Sequence, residues 1–170
     1  PAPPSPEGWD WAYDVEAEAL RKRGAPVDPV AWTRAVDLSG YDLVLPLVVW
    51  GYHLQYADWL RFLDRVEAEQ LPVANPSELL RWNSDKVYLT ELAAKGVPTV
   101  ETIEVERLGD QGLIDAAERF GTADLVVKPP VSASATGTHR VRVGDEIPAP
   151  QRGQRMMIQP LLPSNATQGE

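Results

Sequence analysis

The chain has 170 residues, 44% hydrophobic and 24% charged, with a formal net charge of −9, which suits one ordinary domain or two small ones with a buried core. It has no cysteine, which excludes disulfides, thiolate catalysis and zinc–thiolate sites, and His53 and His139 are too few for a multi-histidine metal site. The acidic balance speaks against nucleic acid as a partner but allows a small anion held by local lysines.

In chain order, residues 9–23 are rich in helix formers, and Gly24 is placed to end that helix. VDPVAW at 27–32 is a short strand candidate weakened by Pro29. Residues 42–50 (DLVLPLVVW) form a nearly continuous apolar run, as in a strand of a parallel sheet, with Pro46 pointing to an edge or bulge. Tyr56 to Ala68 carries Trp59, Leu60, Leu63 and Val66 at helical spacing. LPVAN at 71–75 then reads as a strand, completing a βαβ pattern. From residue 77 a second unit is expected. It begins with a helix capped by Asn83 or Ser84, running to Lys95 and closed by Gly96. A strand at 97–105, a helix at 110–120, and strands at 123–128, 139–143 and 155–160 follow. No apolar run reaches the roughly 18 residues of a membrane span, and residues 1–8 lack the apolar segment of a signal peptide; no membrane partner and a cytoplasmic location are expected.

Chemistry concentrates in the second unit. Lys128 ends an apolar strand and enters PPVSASATGT, where small residues let backbone amides approach an anion and hydroxyls add donors. A snorkelling lysine before a solvated hairpin turn fits those residues equally well. The loop is neither GxxxxGK[ST] nor GxGxxG, but with the following strand it forms a flap able to close over phosphates. Lys86, in WNSDKVYLTEL, is by itself an ordinary exposed helical lysine, and Asp85 before it complements the helix dipole. At Gln159-Pro160-Leu161-Leu162 a strand leaves the sheet and presents backbone groups that adenine can use, beside apolar Met157 and Ile158.

Taken in order, N-S-D-K, V-V-K-P-P-V-S-A-S-A and M-M-I-Q-P-L-L-P resemble the ATP-grasp superfamily. They are most like the ATP-grasp proteins that include the cycloserine biosynthetic cyclo-ligase, alongside the glutathione synthetase-like members. The resemblance is good over residues 75–170 and loose over 9–74. It implies an α/β chain: a pre-ATP-grasp, Rossmann-like parallel-sheet domain over residues 1–76, lacking its first strand, then the small ATP-grasp α+β subdomain over 77–163. Residues 164–170 would begin a C-terminal subdomain that is otherwise missing. Lys86 and Lys128 would contact nucleotide phosphates, and Ser132, Ser134, Thr136 and Gly137 would lie in the lid. The Gln159 carbonyl would accept from the adenine amino group, the Leu162 amide would serve the ring, and Pro160 and Leu161 would flank it. Glu170 would lie near the ribose. The reaction implied is ATP-dependent activation of a carboxylate as an acyl phosphate, attacked by an amine-type nucleophile, in a bacterial enzyme. Magnesium would bridge the phosphates, its ligands lying beyond residue 170. No catalytic residue is assigned, and none of the chain's own residues is a metal ligand. The chain would then be an inactive front portion of an enzyme approaching twice its length. Many relatives are dimers, so a homodimer is allowed. A non-catalytic nucleotide-binding module and an unrelated α/β interaction domain are the alternatives.

Three further features have simple readings. The six tryptophans are mostly core. Trp50 to His53 follows a strand end, where α/β ligands bind, although core packing is the simpler account. Glu101, Glu104 and Glu106 read as a solvated strand edge.

Overall fold

The computed structural model describes residues 9–162, which divide into two compact units between Ser84 and Asp85. Helix α3 (Ser77–Ser84), assigned by the sequence to the second unit, falls in the first, where it packs on α2 (Tyr56–Ala68).

The first unit opens with α1 (Trp9–Arg21), and Gly24 follows it in the left-handed region at φ 82°. Residues 27–32 are irregular, as Pro29 allows. The apolar run at 42–50 does not make the expected strand. Its ladder shrinks to one parallel bridge, Val44 to Val73, with Val44 N–H donating to the Pro72 carbonyl and Ala74 N–H to the Val44 carbonyl. Pro46 lacks a donor, and Leu43 and Leu47 are exposed, so the doubly buried environment such a run needs is absent. A 3-10 turn at Tyr52–Leu54 then leads into α2, which runs over the residues its periodicity predicts.

The core of this unit is Leu38, Trp59, Phe62, Leu63, Val66 and Leu71. Trp59 stacks on Phe62 (centroids 5.5 Å apart) and meets Trp32 edge-on at 5.8 Å. Burying its indole N–H requires an acceptor. Ser84 supplies it at 2.7 Å while donating its own hydroxyl to the Leu80 carbonyl at 2.6 Å. Ser84 is thus the last residue of α3, not the N-cap of a longer helix. The single helix expected from there to Lys95 is instead α3, a break at 85–87, and α4 (Tyr88–Ala94), with Gly96 beyond at φ 79°.

The second unit is an antiparallel sheet in the order β1-β4-β2-β3: β1 (Ile103–Val105), β2 (Asp124–Lys128), β3 (His139–Arg142) and β4 (Met156–Pro160). β1 is the short end of the stretch predicted from residue 97. Helix α5 (Asp110–Phe120) covers one face. Leu113 and Ala116 from the helix pack with Leu125, Val127, Val141, Met156 and Ile158 from the sheet. Gly112 faces the sheet, where a Cβ would make ordinary van der Waals contact with Val105 Cγ1 at 3.5 Å. Alternation then sends Val126, Lys128, Met157 and Gln159 to the other face, as the cross-strand pairs Val126/Gln159 and Lys128/Met157.

Candidate nucleotide site

That second face holds a cavity of about 370 Å³, within the size range of small-ligand sites. Its wall combines polar Lys86, Lys128, Ser132, Ser134 and Gln159 with apolar Val100, Val126, Pro160 and Leu162. Thr136, Gly137 and Leu161 are not on its wall, and Glu170 lies outside the described residues. A second cavity, of about 440 Å³ beside the start of α5, is larger but suits an anion poorly. Asp110, Asp145 and Glu146 line it, and its Arg152 is committed to Asp110 at 2.9 Å and 3.3 Å.

Each lysine has its own support. Lys128 is the last residue of β2, delivered to the cavity by the same alternation that buries Leu125 and Val127. Lys86 sits in the break between α3 and α4, not in a helix. Its amide donates to the Pro130 carbonyl at 2.9 Å, and its Nζ reaches the carbonyl and hydroxyl of Ser132. Asp85 does not serve a helix dipole. It accepts from the Val87 amide at 3.1 Å and from Arg155 at 2.6 Å, and Arg155 also grips Glu104 at 2.6 Å. Glu104 is therefore half-buried and paired rather than a solvated edge group.

Burial, then the positive charge of Lys128, hold the Lys86 ammonium below its ordinary value of 10.5, with Asp85 acting against them. Burial also holds Lys128 below that value. Among the described residues no carboxylate pairs with Lys128. Two partly desolvated, mutually repelling cations facing one cavity are electrostatically suited to a polyanion.

The flap between β2 and β3 is shaped by left-handed residues: Ser134 at φ 49°, Ala135 at 56° and Gly137 at 73°. Thr136 N–H bonds the Ala133 carbonyl and Thr138 N–H the Ala135 carbonyl, each at 2.9 Å. Gly137 lies against the Pro129 ring, so close that a Cβ would fall 2.8 Å from Cγ. It closes the base of the flap and does not line the cavity.

At the other end the ladder corrects one expectation. Leu161 N–H donates to the Asp124 carbonyl at 2.9 Å. By the alternation of antiparallel bonding, Val126/Gln159 is also a hydrogen-bonded pair, so the Gln159 carbonyl faces β2 rather than a ligand. Pro160 presents its carbonyl on the opposite edge, beyond the last β1 pair, Ile103/Ile158. The Gln159 side chain donates to Thr102 Oγ1 at 2.7 Å. Val126, Val100, Ala133, Ala135 and Thr138 also line the cavity without having been singled out in the sequence. Val126 was accessible to the alternation counted back from Lys128. Val100 carried no local signal.

An antiparallel sheet with a helix on one face, and a lysine-bearing cavity under a flap on the other, is the arrangement of an ATP-grasp ligase, and the chain has that fold. The ATP-grasp RimK domain protein of Sphaerobacter thermophilus superposes with a TM-score of 0.60 at 16% identity, over 88% of this chain and 59% of that one. Within the class the resemblance is to D-cycloserine synthetase. The family described as D-cycloserine synthetase DcsG, N-terminal domain, matches residues 3–75, so the likeness also runs through the part where the motifs are sparse. The cycloserine biosynthesis protein DcsG of Streptomyces lavendulae is 29% identical over 172 residues, covering 93% of this chain. The crystal structure of D-cycloserine synthetase DcsG superposes with a TM-score of 0.79 at 26% identity, over 92% of this chain. The chain spans 57% of the length of the curated relative and 56% of the crystallised one. The carboxyaminoimidazole ribonucleotide synthase of Aspergillus clavatus, crystallised with ATP, shares the fold at a TM-score of 0.52 and 20% identity, over 61% of this chain and 28% of that one.

Proposed function

We propose that this chain supplies the ATP-cradling part of a ligase that activates a carboxylate as an acyl phosphate for capture by an amine-type nucleophile. The observation that carries the proposal is the order of groups along the cavity: Lys128 ends β2, with Lys86 tied to Ser132 in the segment that follows, whereas Val126 and Pro160 lie further back along the paired strands. Val126 and Lys128 are two residues apart on one strand face, about 7 Å at strand rise, so a base beside Val126 directs its phosphates towards Lys128. Lys86 and Lys128 bind and orient the phosphates, and Ser132 holds Lys86 in place. The flap excludes water. The Pro160 carbonyl and the Leu162 amide address the edge of the base. An ATP-bound member of the same fold supports the choice of ligand.

ATP supplies the phosphoryl group. Magnesium, expected from the resemblance, would be held by groups other than those described, among which no cluster of three or more His, Cys, Asp or Glu is arranged for a metal. A homodimer is proposed on the resemblance alone, and among the described residues no helix is long and apolar enough to cross a membrane.

Calorimetric titration with ATP tests the cradle. Lys128→Ala is expected to weaken binding by roughly 1–3 kcal/mol, the scale of a lost charge-assisted hydrogen bond. Equal affinity for the variant and the wild-type chain would show that Lys128 holds no phosphate.

A further inference from the structure

Gln159 is only 7% exposed, and its side-chain amide has two ends of nearly equal size and opposite hydrogen-bonding character. The neighbouring hydroxyl decides which end faces the cavity. Thr102 Oγ1 lies 2.8 Å from the Val100 carbonyl oxygen and 2.7 Å from the Gln159 amide. A carbonyl oxygen only accepts, and a hydroxyl has a single hydrogen to give. Both contacts are hydrogen bonds when the Thr102 hydrogen goes to Val100 and Thr102 accepts from Gln159. That fixes Nε2 on Thr102 and leaves Oε1 as the remaining polar end of a residue that lines the cavity. Reversing the amide would draw the Thr102 hydrogen to Gln159 Oε1 and away from the Val100 carbonyl, leaving one hydrogen bond where there were two.

From this relay we infer that Thr102 is a specificity-positioning residue: by locking Gln159 with its acceptor towards the cavity, it makes the site select a base bearing an exocyclic amino group over one bearing an oxo group there. The inference rests on the nucleotide reading of the cavity. A 6-amino purine gives Oε1 a hydrogen bond. A 6-oxo purine confronts it with a second acceptor, so the site loses a bond and buries two opposed oxygens. With Thr102 removed, the amide is free to turn its donor end to an oxo group, and discrimination falls while binding of the triphosphate persists.

The experiment is competitive binding of ATP and inosine triphosphate to the chain. The two nucleotides share sugar and phosphates and differ in the base at the 6-position and at N1, which carries a hydrogen in hypoxanthine and none in adenine. Wild type is expected to prefer ATP by about tenfold or more, the scale of one hydrogen bond exchanged for a repulsion. Thr102→Val, nearly isosteric but without the hydroxyl, is expected to lower the ratio, chiefly by strengthening the inosine nucleotide, because the N1 difference acts alike on both proteins. Thr102→Ser, which restores the hydroxyl, should recover the wild-type ratio. A merely structural role for Thr102 would weaken both nucleotides alike and leave the ratio unchanged, which overturns the inference. Should Thr102→Val not fold, Gln159→Leu decides: a ratio that stays at the wild-type value overturns it. Wild type that binds both nucleotides equally refutes the relay while leaving the cradle standing. Wild type that binds neither refutes the nucleotide reading, and the relay with it.

Discussion

Lys86 and Lys128 are both half-buried, yet they differ in how they are held. Lys86 is bonded to Ser132 through Nζ and to Pro130 through its amide, whereas Lys128 reaches the cavity from a strand end with no carboxylate partner among the described residues. The lowered proton affinity of Lys86 has burial as its first cause and the Lys128 charge as its second. Lys128→Met is therefore expected to raise the Lys86 titration midpoint towards 10.5, as read by NMR of a labelled lysine. The sign for stability follows from linkage. With the folded-state value depressed, the unfolded chain binds more protons in the window between that value and 10.5, so stability rises with pH through this window. Nucleotide affinity should run the other way. Phosphates favour the charged lysines, so ATP binding should weaken with rising pH from below 10.5. An affinity flat across that range would mean that these ammonium groups do not face the phosphates.

At the scale of elements, the flap depends on glycine for two separable reasons. Gly137 and Gly153 both have left-handed backbones, at φ 73° and 77°, but only Gly137 lies against another group, the Pro129 ring. Gly153→Ala is expected to cost about 1–2 kcal/mol of stability for the backbone alone and to leave ATP affinity unchanged. Gly137→Ala adds a contact that a proline ring cannot relieve by rotating. It should cost more, loosen residues 129–138 in hydrogen exchange, and weaken ATP binding. Equal effects of the two substitutions on affinity would remove the flap from the binding site. The helices show how much of an element is locally encoded. α2 and α5 run over the residues expected from the sequence, because each buries one apolar stripe of its own. The run at 42–50 misleads because composition alone cannot reveal whether both faces will be covered, and here Leu43 and Leu47 stay exposed.

Across the whole molecule, the second unit depends on the layer between α5 and the sheet. Ile158 on β4, one of the two inner strands, is fully buried there. Ile158→Ala should cost about 2–5 kcal/mol in denaturant unfolding followed by circular dichroism. ATP at about a hundred times its dissociation constant should restore roughly 2.7 kcal/mol, and failure to restore any stability would place the ligand off this unit. All six tryptophans fall in residues 1–84, so their fluorescence follows the first unit separately.

Period-two alternation along residues 124–128 is enough to sort Leu125 and Val127 from Val126 and Lys128, and the order of the lysines, flap and Gln-Pro-Leu-Leu exit is enough to suggest the cradle. These are local properties, set by the geometry of a strand and by short stretches of chain. What brings Lys86 to Ser132, Arg155 to Asp85, and Thr102 to Gln159 is contact across 46, 70 and 57 residues. The direction of the Gln159 carbonyl likewise depends on which strand lies alongside β4 and in what register. Pairing and packing fix such details, because a hydrogen-bonding group acquires its role only when its partner arrives from elsewhere in the chain.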